Sequence, residues 1–147
     1  MAEAVEERMM AEYAAERLTP GTWRTHVRLG AVPTSIAGRE LTELERGALR
    51  VTHPEADLVQ RGPDPGVATI VEFTVWNPVA KVGQLLFYGH QLPLTPGYED
   101  VTEVHLRIVT GLGEPRLREL AAAMGIDVET FQPAWLLQKL ASRRGRS

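Results

Sequence analysis

Two acids sit where acids are rarely placed. Asp57 lies early in ADLVQR, residues 56–61, and Glu72 lies in the middle of VATIVEFTV, residues 67–75. Both runs read as β-strands, the second strongly β-branched and apolar. GPDPG, residues 62–66, joins them with two prolines and two glycines and makes a tight hairpin. Paired strands run about 4.8 Å apart, and side chains of one parity share a face. The hairpin can therefore bring Asp57 and Glu72 together. Converging carboxylates repel unless positive charge lies between them. A hard divalent cation, Mg²⁺ or Mn²⁺, suits carboxylate and water ligands. Held there, it lowers the pKa of a bound water and stabilises charge on a phosphoryl oxygen. The plainer alternative has Asp57 capping a turn and Glu72 paired with Arg24 or Arg28.

The elements that must position these acids are legible along the chain. EAVEERMMAEYAAER, residues 3–17, is rich in helix formers, with Val5, Met9, Met10 and Tyr13 on one face. Pro20 and Gly21 stop that helix. In TWRTHVRLGAV, residues 22–32, apolar and basic residues alternate as in a half-buried strand. Residues 35–47 suggest a short helix with Ser35 as N-cap and Gly47 after its end. Asn77-Pro78 opens a helix over 78–90 that carries Gln84 and Tyr88 one turn apart. LPLTPG, residues 92–97, reads as loop. Residues 101–111 and 126–132 read as strands, and 113–125 and 133–144 as helices.

This order predicts an α/β fold with a mixed central sheet flanked by helices on both faces. The hairpin supplies antiparallel neighbours, and the later crossovers favour parallel ones. The 147 residues suit a single domain, with an N-terminal helix in 1–20 and a C-terminal helix and basic tail in 133–147.

Composition narrows the class. At 44% hydrophobic and 24% charged the chain is an ordinary globular one, and its net charge of −3 gives no global basic field. Residues 1–16 carry five glutamates against Arg8, whereas Lys139, Arg143, Arg144 and Arg146 crowd the other end. Such ends are either solvated or contact another subunit or a phosphate. The absence of cysteine excludes disulfides, thiolate metal sites and cysteine nucleophiles. No run approaches the ~18 apolar residues of a membrane span, and the first residues are acidic where a signal peptide is basic. These features lead us to expect no membrane and a cytoplasmic or particle-associated location. His53, His90 and His105 show no ligand spacing. Trp23, Trp76 and Trp135 read as core or interface anchors. Trp76, directly after the second hairpin strand, is also placed to stack on a nucleobase.

ADLV (56–59), the hairpin, IVEFT (70–74) and GQLLFY (83–88) together resemble the PD-(D/E)XK nuclease superfamily. The pattern is most similar to the RecB-type branch, whose helix after the core strand carries Q-x-x-x-Y, matched by Gln84 and Tyr88. Phage-encoded members show a similar series, and GIDVETFQPAW, residues 125–135, matches their tail. The resemblance spans roughly residues 22–135 and implies a restriction-endonuclease-like αβββαβ core with an added N-terminal helix and a C-terminal strand and helix. It implies Asp57 and Glu72 as metal ligands for Mg²⁺ or Mn²⁺, and Gln84 and Tyr88 as residues that face nucleic acid or brace the site. Glu40, Glu43 and Glu45 are the candidates for a further acid on the preceding helix. One position departs from the family. Its lysine stands two residues after the second acid, and here that residue is Thr74. Lys81, three residues before Gln84, is the candidate replacement; otherwise it is a solvated lysine.

Two functional expectations follow. The first is a metal-dependent DNA phosphodiesterase, or a derivative with weak or no catalysis, using Asp57, Glu72 and Lys81. The second is a non-catalytic structural or adaptor protein of a virus particle on the same fold, self-associating or bound to other virion subunits.

Overall fold

The computed structural model describes residues 2–30, 40, 42–45, 54–75, 79–112 and 115–144. The main elements among these residues are, in chain order, α1 (Ala2–Arg17), β1 (Trp23–Arg28), β2 (Glu55–Arg61), β3 (Val67–Thr74), α2 (Val79–Gln91), β4 (Glu103–Thr110), α3 (Pro115–Ala123), β5 (Ile126–Thr130) and α4 (Ala134–Arg144). The expected strands and helices over these residues are present, with shifts of a few residues at their ends. The expected loop after α2 contains a single 3₁₀ turn, Leu92–Leu94. Ser35, Gly47, His53, Trp76 and Asn77-Pro78 lie outside the described residues.

The five strands form one sheet in the order β1-β2-β3-β4-β5. β1, β2 and β3 are antiparallel neighbours, and β3, β4 and β5 are parallel ones. The sheet is therefore mixed, as expected. The link between β2 and β3 closes by Gly62 N–H donating to Val67 O at 3.1 Å. Asp64 tightens it, its side chain accepting from Gly66 N–H at 2.9 Å. Short polar side chains stabilise such turns by this local bond. Arg61 ties the turn to the loop after α2, donating to Pro65 O and to Asp100. Its guanidinium lies over the Tyr98 ring, 4.6 Å from the centroid.

Apolar residues cover both faces of the sheet. On one face, Val82, Leu85 and Tyr88 of α2 and Leu117 and Ala121 of α3 pack with Val59, Ile70 and Ile108. On the other, Met9, Met10, Tyr13 and Ala14 of α1 and Leu136 and Leu140 of α4 pack with Leu58, Val71, Phe73 and Val109. Tyr13 presents its edge to Phe73 and Phe131, with ring centroids 5.4 and 5.5 Å away. At Gly89 α2 lies against the sheet, where a Cβ would make ordinary van der Waals contact with Leu106 at 3.4 Å. β3 is covered from both sides, which explains its near-continuous apolar sequence.

Candidate functional site

The β2–β3 ladder pairs Arg61 with Ala68 and runs to Leu58 opposite Val71. One step further, Asp57 stands opposite Glu72, and the backbone pairing gives way to side chains. The N–H of Asp57 donates to Glu72 Oε2 at 2.7 Å. The N–H of Phe73 donates to Asp57 Oδ2 at 2.8 Å. Each carboxylate is thus held by the backbone of the other's strand. Backbone N–H groups that lose their ladder partners need others, and two acids facing each other supply them.

Glu72 is buried, only 1% exposed, and Asp57 is half-buried. Burial pushes the Glu72 carboxyl up to about 8, and the negative charge of Asp57 pushes the same way. The bond from Asp57 N–H and the charge of Lys81 oppose this shift without cancelling it. Burial and the neighbouring acid together therefore favour the protonated form of Glu72.

Lys81 comes from the first turn of α2. Its Nζ lies 3.9 Å from Glu72 Oε1, an ion pair rather than a hydrogen bond, with the lysine side chain 25% exposed. Of the arginines weighed as alternative partners, Arg28 lies 3.9 Å from Glu55 instead, and neither Arg24 nor Arg28 is among the charges that act on Glu72. Tyr88, two turns beyond Lys81, is buried against the same acids. Burial first, then the charges of Glu72 and Asp57, raise its hydroxyl to about 12, so it stays protonated. Gln84 is exposed at the rim of this face. Thr74, two residues after Glu72, is buried and uncharged. Trp76 lies outside the described residues.

Of the acids on the preceding segment, Glu45 is engaged in a helix cap. Thr42 and Glu45 form a reciprocal cap, with Thr42 N–H donating to Glu45 at 3.1 Å and Glu45 N–H to Thr42 Oγ1 at 3.2 Å. The T-x-x-E spacing announces this box, so the helical turn here begins at Thr42. Glu40 and Glu43 are exposed. Among the described residues no group of three or more histidines and acids gathers as a metal cage. Mg²⁺ is commonly held by one or two carboxylates with water and substrate phosphate completing its shell. The donor set of Asp57 and Glu72 fits that chemistry.

Two polar clusters escape sequence reasoning. His26 bridges Glu7 of α1 at 2.8 Å and Glu55 of β2 at 2.7 Å. It adopts φ 55°, a left-handed conformation unusual for a side-chain-bearing residue. On the face that α1 covers, Tyr13 and Arg17 both bond to Glu129, and Arg107 reaches Tyr13 at 3.3 Å and Asp127 at 3.2 Å. These side chains line a cavity of about 480 Å³. Its charges are matched, so it reads as a clamp between α1 and β5. The acidic first helix is likewise used internally, Glu12 pairing with Arg8 and bonding the Trp135 indole.

No family model, curated protein or solved structure matches the chain. No helix of the described residues is long and apolar enough to cross a membrane.

Proposed function

We propose that the protein is a divalent-metal-dependent DNA phosphodiesterase of the PD-(D/E)XK type, with Asp57 and Glu72 as metal ligands and Lys81 in place of the family's lysine. The observation that carries this reading is the carboxylate pair held by reciprocal backbone bonds, with a lysine 3.9 Å from its buried member. The antiparallel β1–β2–β3 meander, followed by α2 and parallel β4, supports a restriction-endonuclease-like core. A cation bound between the acids supplies Lewis acidity and a more acidic ligated water. The chain's own residues do the rest. The backbone bonds fix both carboxylates in place before anything binds, which is the value of preorganisation. Lys81 holds positive charge where negative charge develops on the phosphate. Tyr88 stays protonated and keeps a polar group at the apolar wall of α2.

The test is incubation of purified protein with DNA and Mg²⁺ or Mn²⁺, beside Asp57→Ala and Glu72→Ala. Metal-dependent cleavage lost in both variants is the expected result. Equal cleavage by all three proteins overturns it.

The buried Thr74 favours a second reading, a non-catalytic virion adaptor that keeps the fold without the chemistry. It calls for metal-independent assembly into a ring or onto a larger complex, measured by light scattering and electron microscopy.

A further inference from the structure

Two glycines interrupt α2, and only one of them faces a neighbouring side chain. Gly89 lies against Leu106. Gly83 has no such neighbour. Among the described residues, a Cβ at Gly83 meets nothing within 4 Å, and its φ is not positive. Glycine inside a helix is destabilising relative to alanine. What bare backbone offers at an exposed helical position is close approach by something outside the fold.

The residues around Gly83 show what could approach. Val79, Gly83 and Phe87 follow one another at i, i+4 and i+8, so they form one stripe. Val79 is 53% exposed and Phe87 48% exposed. Gln84 lies between this stripe and the face formed by Lys81 and Tyr88. The Phe87 and Tyr88 rings are 6.5 Å apart at 59°, within aromatic contact range. A continuous band thus runs from the buried carboxylates through Tyr88 to an open aromatic ring beside bare backbone. α2 carries Lys81 and His90 and no acid, in a chain of net charge −3. That charge suits an anionic ligand, which on the phosphodiesterase reading is the phosphate of a nucleic acid. The stripe is too small for a stable dimer. A few half-exposed side chains amount to on the order of 300 Å², against about 800 Å² per partner in a standard interface.

We propose that Phe87 and the bare backbone at Gly83 seat an unpaired nucleobase, so that the nucleic acid entering beside Asp57 and Glu72 is single-stranded or frayed there. This rests on the phosphodiesterase reading for the identity of the ligand. An aromatic face accepts any base by stacking, because every base presents a π-face. A base in an intact duplex cannot offer that face, which makes strandedness the property being selected.

The experiment measures binding separately from cleavage. Fluorescence anisotropy is recorded in EDTA with a labelled single-stranded oligodeoxynucleotide and with the duplex of the same length. The proteins are wild type, Phe87→Ala, Phe87→Trp, Gly83→Ala and Gly83→Leu. Phe87→Ala is expected to weaken single-strand binding roughly tenfold, with Phe87→Trp retaining it and duplex binding unchanged. Gly83→Leu should weaken it similarly by covering the bare backbone. Gly83→Ala reports folding, raising Tm by about 3 °C. Single-strand affinity indifferent to Phe87→Ala and Gly83→Leu overturns the proposal, as does equal loss on single strand and duplex. So does a concentration-dependent dimer abolished by Phe87→Ala, which would assign the stripe to a second copy. Cleavage is scored in parallel with Asp57→Asn. Absent cleavage with Phe87-dependent binding removes the phosphodiesterase and keeps the seat. Asp57-dependent cleavage with Phe87-independent binding does the reverse.

Discussion

The side chain of Glu72 accepts a hydrogen bond from the backbone N–H of Asp57, while the side chain of Asp57 accepts one from the N–H that follows Glu72. Two acids are thereby held together at the point where the β2–β3 ladder ends. The arrangement is anchored at both acids, so a substitution at either one disturbs backbone as well as charge.

Stability should fall with rising pH because of Glu72. Its ordinary value is 4.5, and in the fold it stands at about 8. Between these values the unfolded chain has released a proton that the native protein keeps, so the native state loses ground as pH rises. At about 1.4 kcal/mol per unit of separation the loss is on the order of a few kcal/mol. Thermal melts from pH 4.5 to 8 should show a falling Tm, and Glu72→Gln should flatten that slope. Millimolar Mg²⁺ should restore Tm most at high pH, since binding must displace the proton. A wild-type slope no steeper than that of Glu72→Gln contradicts this account.

Lys81→Met keeps the aliphatic stem and removes the charge. Cleavage should drop on the order of 10²–10³-fold, the scale of one lost electrostatic contact in a transition state. Folding should change by less than about 1 kcal/mol. Lys81→Arg should retain part of the activity. Unaltered cleavage by Lys81→Met in a protein that depends on Glu72 would return Lys81 to the surface.

His26 should contribute stability with the opposite origin. Burial lowers its pKa, but bonds and charges from Glu55 and Glu7 raise it further, leaving it above 6.5. Arg28, 3.9 Å from Glu55, is the cation beside this cluster. The contribution is full below 6.5 and is lost as pH rises through the folded value. The side chain is 44% exposed, so solvent screening keeps it under about 1 kcal/mol. His26→Gln should lower Tm at pH 5.5 more than at pH 9, and an equal decrement at both would dismiss the clasp.

Phe73→Ala empties the space beneath the Tyr13 ring. Truncating a buried phenylalanine costs about 3–5 kcal/mol, which for a domain of this size lowers Tm by roughly 10 °C. Phe73 follows Glu72 directly, and its N–H holds Asp57. Metal-induced stabilisation should therefore weaken in this variant beyond the loss of Tm.

The hairpin and its acids were legible because their signals are local. The turn residues of 62–66 and the β-branched run of 67–75 specify two adjacent strands, and hairpin register then places Asp57 opposite Glu72. The periodicity of 79–91 likewise specifies a helix with Lys81, Gln84 and Tyr88 near one edge. The T-x-x-E spacing of Thr42 and Glu45 is an equally local signal, and in the sequence it competes with Ser35 as a helix start.

Tertiary structure decided the rest, and the reason is the same in each case. Whether Lys81 turns toward Glu72 or toward water depends on where α2 docks, and that is set by Leu85, Tyr88 and Gly89 packing on the sheet. That docking buries Tyr88 and leaves Gln84 and Phe87 open, although all three belong to one regular helix. Tyr13 meets Glu129 across 116 positions of chain, and His26 meets Glu7 and Glu55 from three separate elements. Sequence spacing governs neighbours within a helix or hairpin. Contacts between distant elements follow from how apolar faces close over one another, and only the folded chain carries that information.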